Sequence, residues 1–132
     1  MAALHDIVFD CAHPASLARF WAAALDGYDV APYDDAEIER LRAAGIDDVE
    51  DDPGVLVEGP AGAPRLYFQL VPEGKVAKNR VHLDLRCADL DAEVGRLLAL
   101  GATIAWEEVQ PPGYRNVTLR DVEGNEFCLA VD

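Results

Sequence analysis

The order strand, helix, strand, strand, strand occurs twice along this sequence of 132 residues, once in residues 1–74 and again in residues 75–132. Two short matches align the copies: CAH at 11–13 with CAD at 87–89, and FQL at 68–70 with FCL at 127–129. A repeated supersecondary unit indicates an internal duplication. We therefore predict a single α+β domain of two tandem βαβββ modules whose strands form a curved mixed sheet around a cup.

Local signals predict the individual elements. Pro14 suits the first turn of a helix, and the apolar residues behind it recur at helical spacing: Leu17, Phe20, Trp21, Ala24 and Leu25. In the second module Asp89 is a typical N-cap, and Gly101 ends the helix that follows it. The other predicted elements are strands at 4–11, 28–33, 55–58, 65–71, 80–87, 103–109, 114–120 and 126–131, and a short helix at 36–44.

The first module carries an acidic insertion, residues 34–52, with nine Asp or Glu and two Arg. It contributes half of the formal net charge of −14. Because such a charge repels phosphate backbones and anionic lipids, we predict no nucleic-acid partner and no membrane association. The insertion is either a solvated face or a lid over the first module's end of a binding site.

The chain lacks the signals of membrane insertion and export. No apolar run approaches the ~18 residues that cross a bilayer, and the first residues lack the basic start and apolar stretch of a signal peptide. The three cysteines, Cys11, Cys87 and Cys128, are odd in number and scattered, so we predict reduced thiols. A cytoplasmic location is the expectation.

Alternation along the strands separates an apolar face from a polar one. The apolar faces are needed to cover the two amphipathic helices, so the polar faces are predicted to line the cup. The predicted lining comprises Asp6, Asp10, Tyr67, Gln69, His82, Asp84, Arg86, Asn116, Thr118, Arg120, Glu126 and Cys128. A concave surface with several ionisable groups is typical of a small-molecule site.

Three stretches carry a resemblance to a known superfamily: DCAHPASLARFW at 10–21, KNRVHLDL at 78–85 and LRDVEGNEF at 119–127. With the duplicated module, they resemble the vicinal oxygen chelate superfamily and, within it, the glyoxalase-like branch of the glyoxalase/bleomycin resistance/dioxygenase type. The similarity extends over nearly the whole chain. It implies the glyoxalase/bleomycin resistance fold and a homodimer in which two chains complete the cups or extend the sheets.

The resemblance also implies positions for metal ligands, one in the first strand and one in the last strand of each module. Carried over by position, these residues are Asp6, Gln69, His82 and Cys128. A divalent metal ion is therefore the candidate cofactor. The alternative for His82 is a hydrogen bond to Asp6, Asp84 or Gln69 on a neighbouring strand.

Two functions are compatible with these residues. One is a lyase or isomerase acting on a small oxygenated metabolite, with His82, Glu126 and Asp84 as catalytic residues. The other is a metal-free binding protein that resembles the drug-sequestering resistance proteins of the superfamily. In both cases the expected ligand contacts are Asp10, Tyr67, Gln69, Arg86, Trp106 and Arg120. For Asp10, Asp84 and Arg86 a structural charge network is the alternative.

Overall fold

The computed structural model describes residues 1–111 and 113–132. It contains two compact units, Met1–Gly74 (module one) and Lys75–Asp132 (module two). Each module holds a four-stranded mixed sheet, and the described residues form three α-helices. The predicted α+β class with two βαβββ modules is thereby confirmed. Among these residues no helix is both long enough and apolar enough to span a bilayer.

Module one is built on a parallel pair of strands. Its elements are β1 (Asp6–Cys11), α1 (Pro14–Ala24), β2 (Asp29–Val30), α2 (Asp35–Ala43), a 3-10 turn (Val49–Asp51), β3 (Gly54–Glu58) and β4 (Arg65–Leu70). The strand order is β1-β4-β3-β2. β1 runs parallel to β4, and the other neighbours are antiparallel. The acidic insertion therefore supplies α2 and the 3-10 turn.

The core of module one lies between α1 and one face of its sheet. Leu17 and Trp21 on α1 are fully buried. The Trp21 ring lies 5.5 Å from Phe9, which stacks on Phe68 at a centroid distance of 4.9 Å. Burial of a side chain of this size contributes about 1.5–3 kcal/mol. The opposite face of the sheet is left to the polar residues of the same strands, as alternation predicts.

Module two repeats this plan without the insertion. Its elements are β5 (Asp84–Cys87), α3 (Leu90–Ala99), β6 (Thr103–Gln110), β7 (Tyr114–Arg120) and β8 (Glu126–Val131), with the strand order β5-β8-β7-β6. The Asp89 carboxylate accepts the backbone N–H of Ala92 at 3.0 Å and caps α3, as predicted. Leu97, Phe127 and Leu129 are buried. They form the core between α3 and the sheet.

The strands β2 and β5 are each four residues shorter than predicted, whereas β1 and β4 are shorter by only two residues and one residue. β2 ends at Val30, and the chain leaves the sheet at Pro32, which has no N–H to donate. β5 begins at Asp84 instead of residue 80, because the chain joins β8 only where the Leu83 carbonyl accepts the Cys128 N–H at 2.9 Å. His82 therefore lies in the connection before the strand.

Candidate functional site

Four side chains form one row across the polar face of the module-two sheet. The strand register pairs Asp84 with Cys128, Cys128 with Thr118, and Thr118 with Trp106. Paired residues on neighbouring strands project to the same side of a sheet. A carboxylate, a thiol, a hydroxyl and an indole therefore follow one another in that order. His82, two residues before Asp84, joins the row at its carboxylate end.

His82, Asp84 and Cys128 bring three different donor atoms together. His82 Nε2 lies 3.2 Å from Asp84 Oδ1, and one donor atom from each residue lies within 4.8 Å of the other two. Cys128 is buried, with Sγ 3.3 Å from Thr118 Oγ1. The side chains of His82 and Asp84 are 41% and 60% exposed. Solvent therefore reaches the imidazole of His82 and the carboxylate of Asp84, whereas the thiol of Cys128 is buried.

A β-bulge decides where Trp106 points. Ile104 pairs with Leu119 on the helix side of the sheet, whereas Trp106 pairs with Thr118 on the polar side. The register shifts at Ala105, so residues 104 and 106 face opposite sides although regular alternation would place them together. The half-exposed indole is therefore an apolar surface at the end of the polar row.

Glu126, a predicted catalytic residue, lies on the same face but is held by its own donors. Its carboxylate accepts the Asn79 N–H at 3.0 Å and pairs with Lys75 Nζ at 3.1 Å. Burial raises the pKa of the Glu126 carboxyl, but the hydrogen bonds from Asn79 and Lys75 outweigh burial and lower the pKa to about 2. Glu126 thus anchors the segment that leads to β5, and its catalytic role stays a prediction.

The two arginines predicted to bind a ligand flank the row on the polar face. Arg86 follows Asp84 by two residues on β5 and donates to a backbone carbonyl of its own strand at 3.3 Å. Arg120 lies opposite Glu126 in the register of β7 and β8. In the described part of the chain neither guanidinium forms an ion pair with Asp84, whose carboxylate faces His82 instead.

In module one the predicted ligands Asp6 and Gln69 are both engaged by neighbouring side chains. Arg65 donates to the two Asp6 carboxylate oxygens at 2.8 and 3.0 Å, and His5 Nδ1 lies 2.9 Å from one of them. The Arg65 hydrogen bond holds the pKa of the Asp6 carboxyl below its ordinary value. Gln69 Nε2 donates to Asp10 Oδ1 at 2.7 Å. Both contacts follow from the parallel register of β1 and β4.

The acidic insertion forms one wall of a cavity of about 500 Å³ on the polar face of the module-one sheet. Tyr67 lies on that face, and its hydroxyl covers Gly54 so closely that a Cβ atom at position 54 would overlap it. Tyr33 donates a hydrogen bond to the buried carboxylate of Asp52 at 2.8 Å. Arg40 of α2 completes the wall. The insertion therefore lies where a lid over this cavity would lie. Closure of the insertion over a bound ligand stays a prediction.

Of these cavity residues, only Tyr67 is predicted from the sequence as a ligand contact. Tyr33 and Asp52 are separated by the whole insertion, and an acid-rich segment by itself indicates a solvated surface. The one local signal for this cavity in the sequence is Gly54, which follows Pro53 directly before a predicted strand. A glycine in a strand often marks a position that another group approaches closely. That signal points to position 54 but does not identify Tyr67 as the group that approaches.

The fold matches solved structures over nearly its whole length. A glyoxalase/bleomycin resistance protein/dioxygenase family enzyme from Burkholderia phytofirmans PsJN is 14% identical, with a TM-score of 0.67 and 98% of each chain covered. A point mutant of FosX, a fosfomycin resistance protein from Listeria monocytogenes, solved with Mn(II) and a dihydroxypropylphosphonic acid, is 10% identical with a TM-score of 0.67, covering 98% of this chain and 90% of that one. A lactoylglutathione lyase from Agrobacterium tumefaciens is 14% identical with a TM-score of 0.57, covering 99% and 94%.

These likenesses show the fold, which together with the family match is the vicinal oxygen chelate fold of two βαβββ modules. A family model described as the glyoxalase-like domain matches residues 6–130. The chain therefore belongs to the glyoxalase-like domain family, as its sequence motifs imply. No curated protein matches the sequence significantly.

The donors in module two fit a divalent metal ion of the kind this superfamily implies. Imidazole nitrogen, carboxylate oxygen and thiolate sulfur all bind zinc, and three protein ligands with an open fourth position are the pattern of catalytic zinc sites. Bond lengths of about 2.0–2.3 Å place the ligands of one ion about 3.3–4 Å apart, so His82, Asp84 and Cys128 need only small side-chain movements. In this cluster Asp84 lies beside His82 and Cys128, which are two of the four predicted ligands. The other two, Asp6 and Gln69, contact Arg65 and Asp10 instead.

Proposed function

We propose that this protein is a metal-dependent enzyme of the glyoxalase-like type, a lyase or isomerase that acts on a small oxygenated metabolite. The observation that carries the proposal is the convergence of the His82, Asp84 and Cys128 donor atoms on the polar face of module two. The Mn(II) bound by FosX and the lyase activity named for the Agrobacterium neighbour support the cofactor and the class of reaction.

The residues around the cluster have separate tasks in this proposal. A bound divalent ion supplies polarisation of a substrate carbonyl or hydroxyl oxygen. Asp84 would help to hold the ion through Oδ1, the oxygen that faces His82, which leaves Asp84 Oδ2 to accept a proton from the substrate. Thr118 holds the Cys128 thiol in place through their 3.3 Å contact.

The flanking side chains favour a substrate with both an apolar part and an anionic part. The exposed Trp106 indole offers a surface for the apolar part. Arg86 and Arg120, on either side of the row, offer charge-assisted hydrogen bonds to a carboxylate or a related acid group. A small oxygenated acid fits this combination.

A metal-free binding protein is the second candidate, and one specific observation favours it. Asp6 and Gln69 make their contacts with Arg65 and Asp10, so two of the four positions implied for a metal are committed to side chains. In that case His82 and Asp84 form a hydrogen-bonded pair that contacts the ligand without moving a proton.

The metal content of the untagged protein separates the two candidates. Mass spectrometry is applied to the protein as isolated and after incubation with zinc, nickel, manganese or iron(II). We expect about one ion per chain, and at least roughly tenfold weaker retention in His82→Ala and in Cys128→Ser, because each variant removes one ligand.

His5→Ala and Cys87→Ser are the matched controls, because they remove an imidazole and a thiol outside the cluster. Both controls are expected to retain the metal. Absence of metal under every loading condition, or equal losses in the controls, contradicts the proposal and favours the binding protein.

We also propose a cytoplasmic homodimer, on the resemblance to the superfamily, and sedimentation equilibrium at twice the chain mass would support the dimer.

A further inference from the structure

The cavity of module one carries an excess of negative charge. Four carboxylates and one guanidinium line it: Asp34, Glu37, Asp52, Glu58 and Arg40. Arg40 already pairs with Glu37 at 2.9 Å. Within residues 1–111 and 113–132, the other three carboxylates form no ion pair. The lining therefore carries more carboxylates than Arg40, its one guanidinium among the described residues, can pair with directly.

Asp52 is the most confined of these acids, with only 3% of its surface exposed. Its two oxygens accept the Tyr33 hydroxyl at 2.8 Å and the Gly54 N–H at 3.0 Å. Burial, followed by the contact with Asp52, raises the pKa of the Tyr33 phenol, so that donor stays neutral. The Asp52 charge is thus hydrogen-bonded and interacts with Arg40 at longer range, but Arg40 forms its ion pair with Glu37. Among the described residues no cation contacts Asp52 directly, and a buried charge without a contacting counter-charge is unfavourable.

Two aromatic rings line the same cavity. Tyr33 and Tyr67 approach it from the insertion side and the sheet side, and Leu56 adds an apolar patch. The Tyr67 hydroxyl lies against Gly54 in the cavity wall. Aromatic faces attract cations, and a volume of about 500 Å³ lies in the ordinary range for small organic ligands.

We propose that the cavity beneath the acidic insertion binds a small organic cation, an amine or guanidinium carried on an apolar or aromatic group. The cationic group is directed toward Asp52 and Glu58, and the apolar part lies against the rings of Tyr33 and Tyr67. All of these residues belong to module one, whereas the proposed metal ligands belong to module two, so the two proposals are tested on different residues.

The test uses benzylamine, which is protonated at neutral pH, and benzyl alcohol as its uncharged analogue. Titration of the full chain is followed by amide chemical shifts in NMR spectra. We expect benzylamine to shift the resonances of residues that line the cavity and benzyl alcohol to bind at least roughly tenfold more weakly, because it lacks the charge.

Two arginine variants of α2 form a matched pair. Arg40→Gln removes a positive charge from the cavity wall, whereas Arg42→Gln removes one from a comparable pair with Glu39 outside the cavity. Arg40→Gln is expected to tighten benzylamine binding at least roughly threefold, because a like charge then no longer opposes the ligand, and Arg42→Gln is expected to leave it unchanged. Glu58→Gln should weaken binding.

Three results would overturn the proposal. The first is equal affinity for benzylamine and benzyl alcohol. The second is an equal change in Arg40→Gln and Arg42→Gln, which would indicate general attraction to an acidic chain. The third is no shift at the cavity residues with about 10 mM benzylamine.

Discussion

Replacement of Glu126 by glutamine tests the anchor that joins β8 to the segment before β5. The amide keeps the shape of the side chain but removes the charge that faces Lys75 and the Asn79 N–H. The pKa of the native carboxyl lies at about 2 against an ordinary value of 4.5. This difference corresponds to about 3 kcal/mol of stability at neutral pH, which the variant is expected to lose.

The pH dependence of that loss is the sharper signature. Because the pKa of Glu126 is lowered on folding, its contribution is complete above about pH 4.5 and is lost as the pH falls toward 2. The difference in free energy of unfolding between wild type and E126Q should therefore shrink steadily from pH 5 toward pH 2. Urea unfolding followed by circular dichroism at a series of pH values measures it.

The control for this experiment is Glu93→Gln, which removes a carboxylate from a surface pair with Arg96. Exposed pairs of this kind contribute about 0.2–1 kcal/mol, so the control should change little. A cost below about 1 kcal/mol for E126Q at pH 7, or a cost that does not vary with pH, would refute the anchoring argument and leave Glu126 free for a role in catalysis.

Three further substitutions test the fold through the free energy of unfolding, measured by urea unfolding. Phe68→Ala empties a fully buried position and should cost about 3–5 kcal/mol, and a cost near 1 kcal/mol would contradict the packing described for module one. Asp89→Ala removes the α3 cap and should cost about 1 kcal/mol, with no effect expected if the cap is made by water. Gly54→Ala places a Cβ against the Tyr67 hydroxyl and should cost about 1–3 kcal/mol, part of which Tyr67→Phe should restore.

The parts of the fold that rest on local patterns were predictable. Pro14 and the apolar spacing behind it predict α1, and the alternation around Phe68 predicts which side of the sheet is buried. The repetition of the same order of elements then predicts the two-module architecture without any knowledge of long-range contacts. The polar faces, and with them His82, Asp84 and Cys128 as candidates, follow from the same alternation.

The parts that depend on register between distant strands were not predictable. Arg65 meets Asp6 because β1 and β4 pair in one particular parallel register, across 59 positions of sequence. A shift of one residue would have separated them. Trp106 is named from the sequence as a ligand contact, but the bulge at Ala105 that turns it to the polar face is a feature that alternation cannot anticipate.

The bulge in β6 also bears on solubility. β6 is the longest strand of its sheet and lies at the sheet's edge, with Ile104 and Val109 largely exposed. A long, regular and apolar edge strand is a template for pairing with other chains and for aggregation. The interruption at Ala105, together with the adjacent charges of Glu107 and Glu108, breaks that template. One irregularity in the backbone thus both presents an indole to the polar face and interrupts the regular pairing edge of β6.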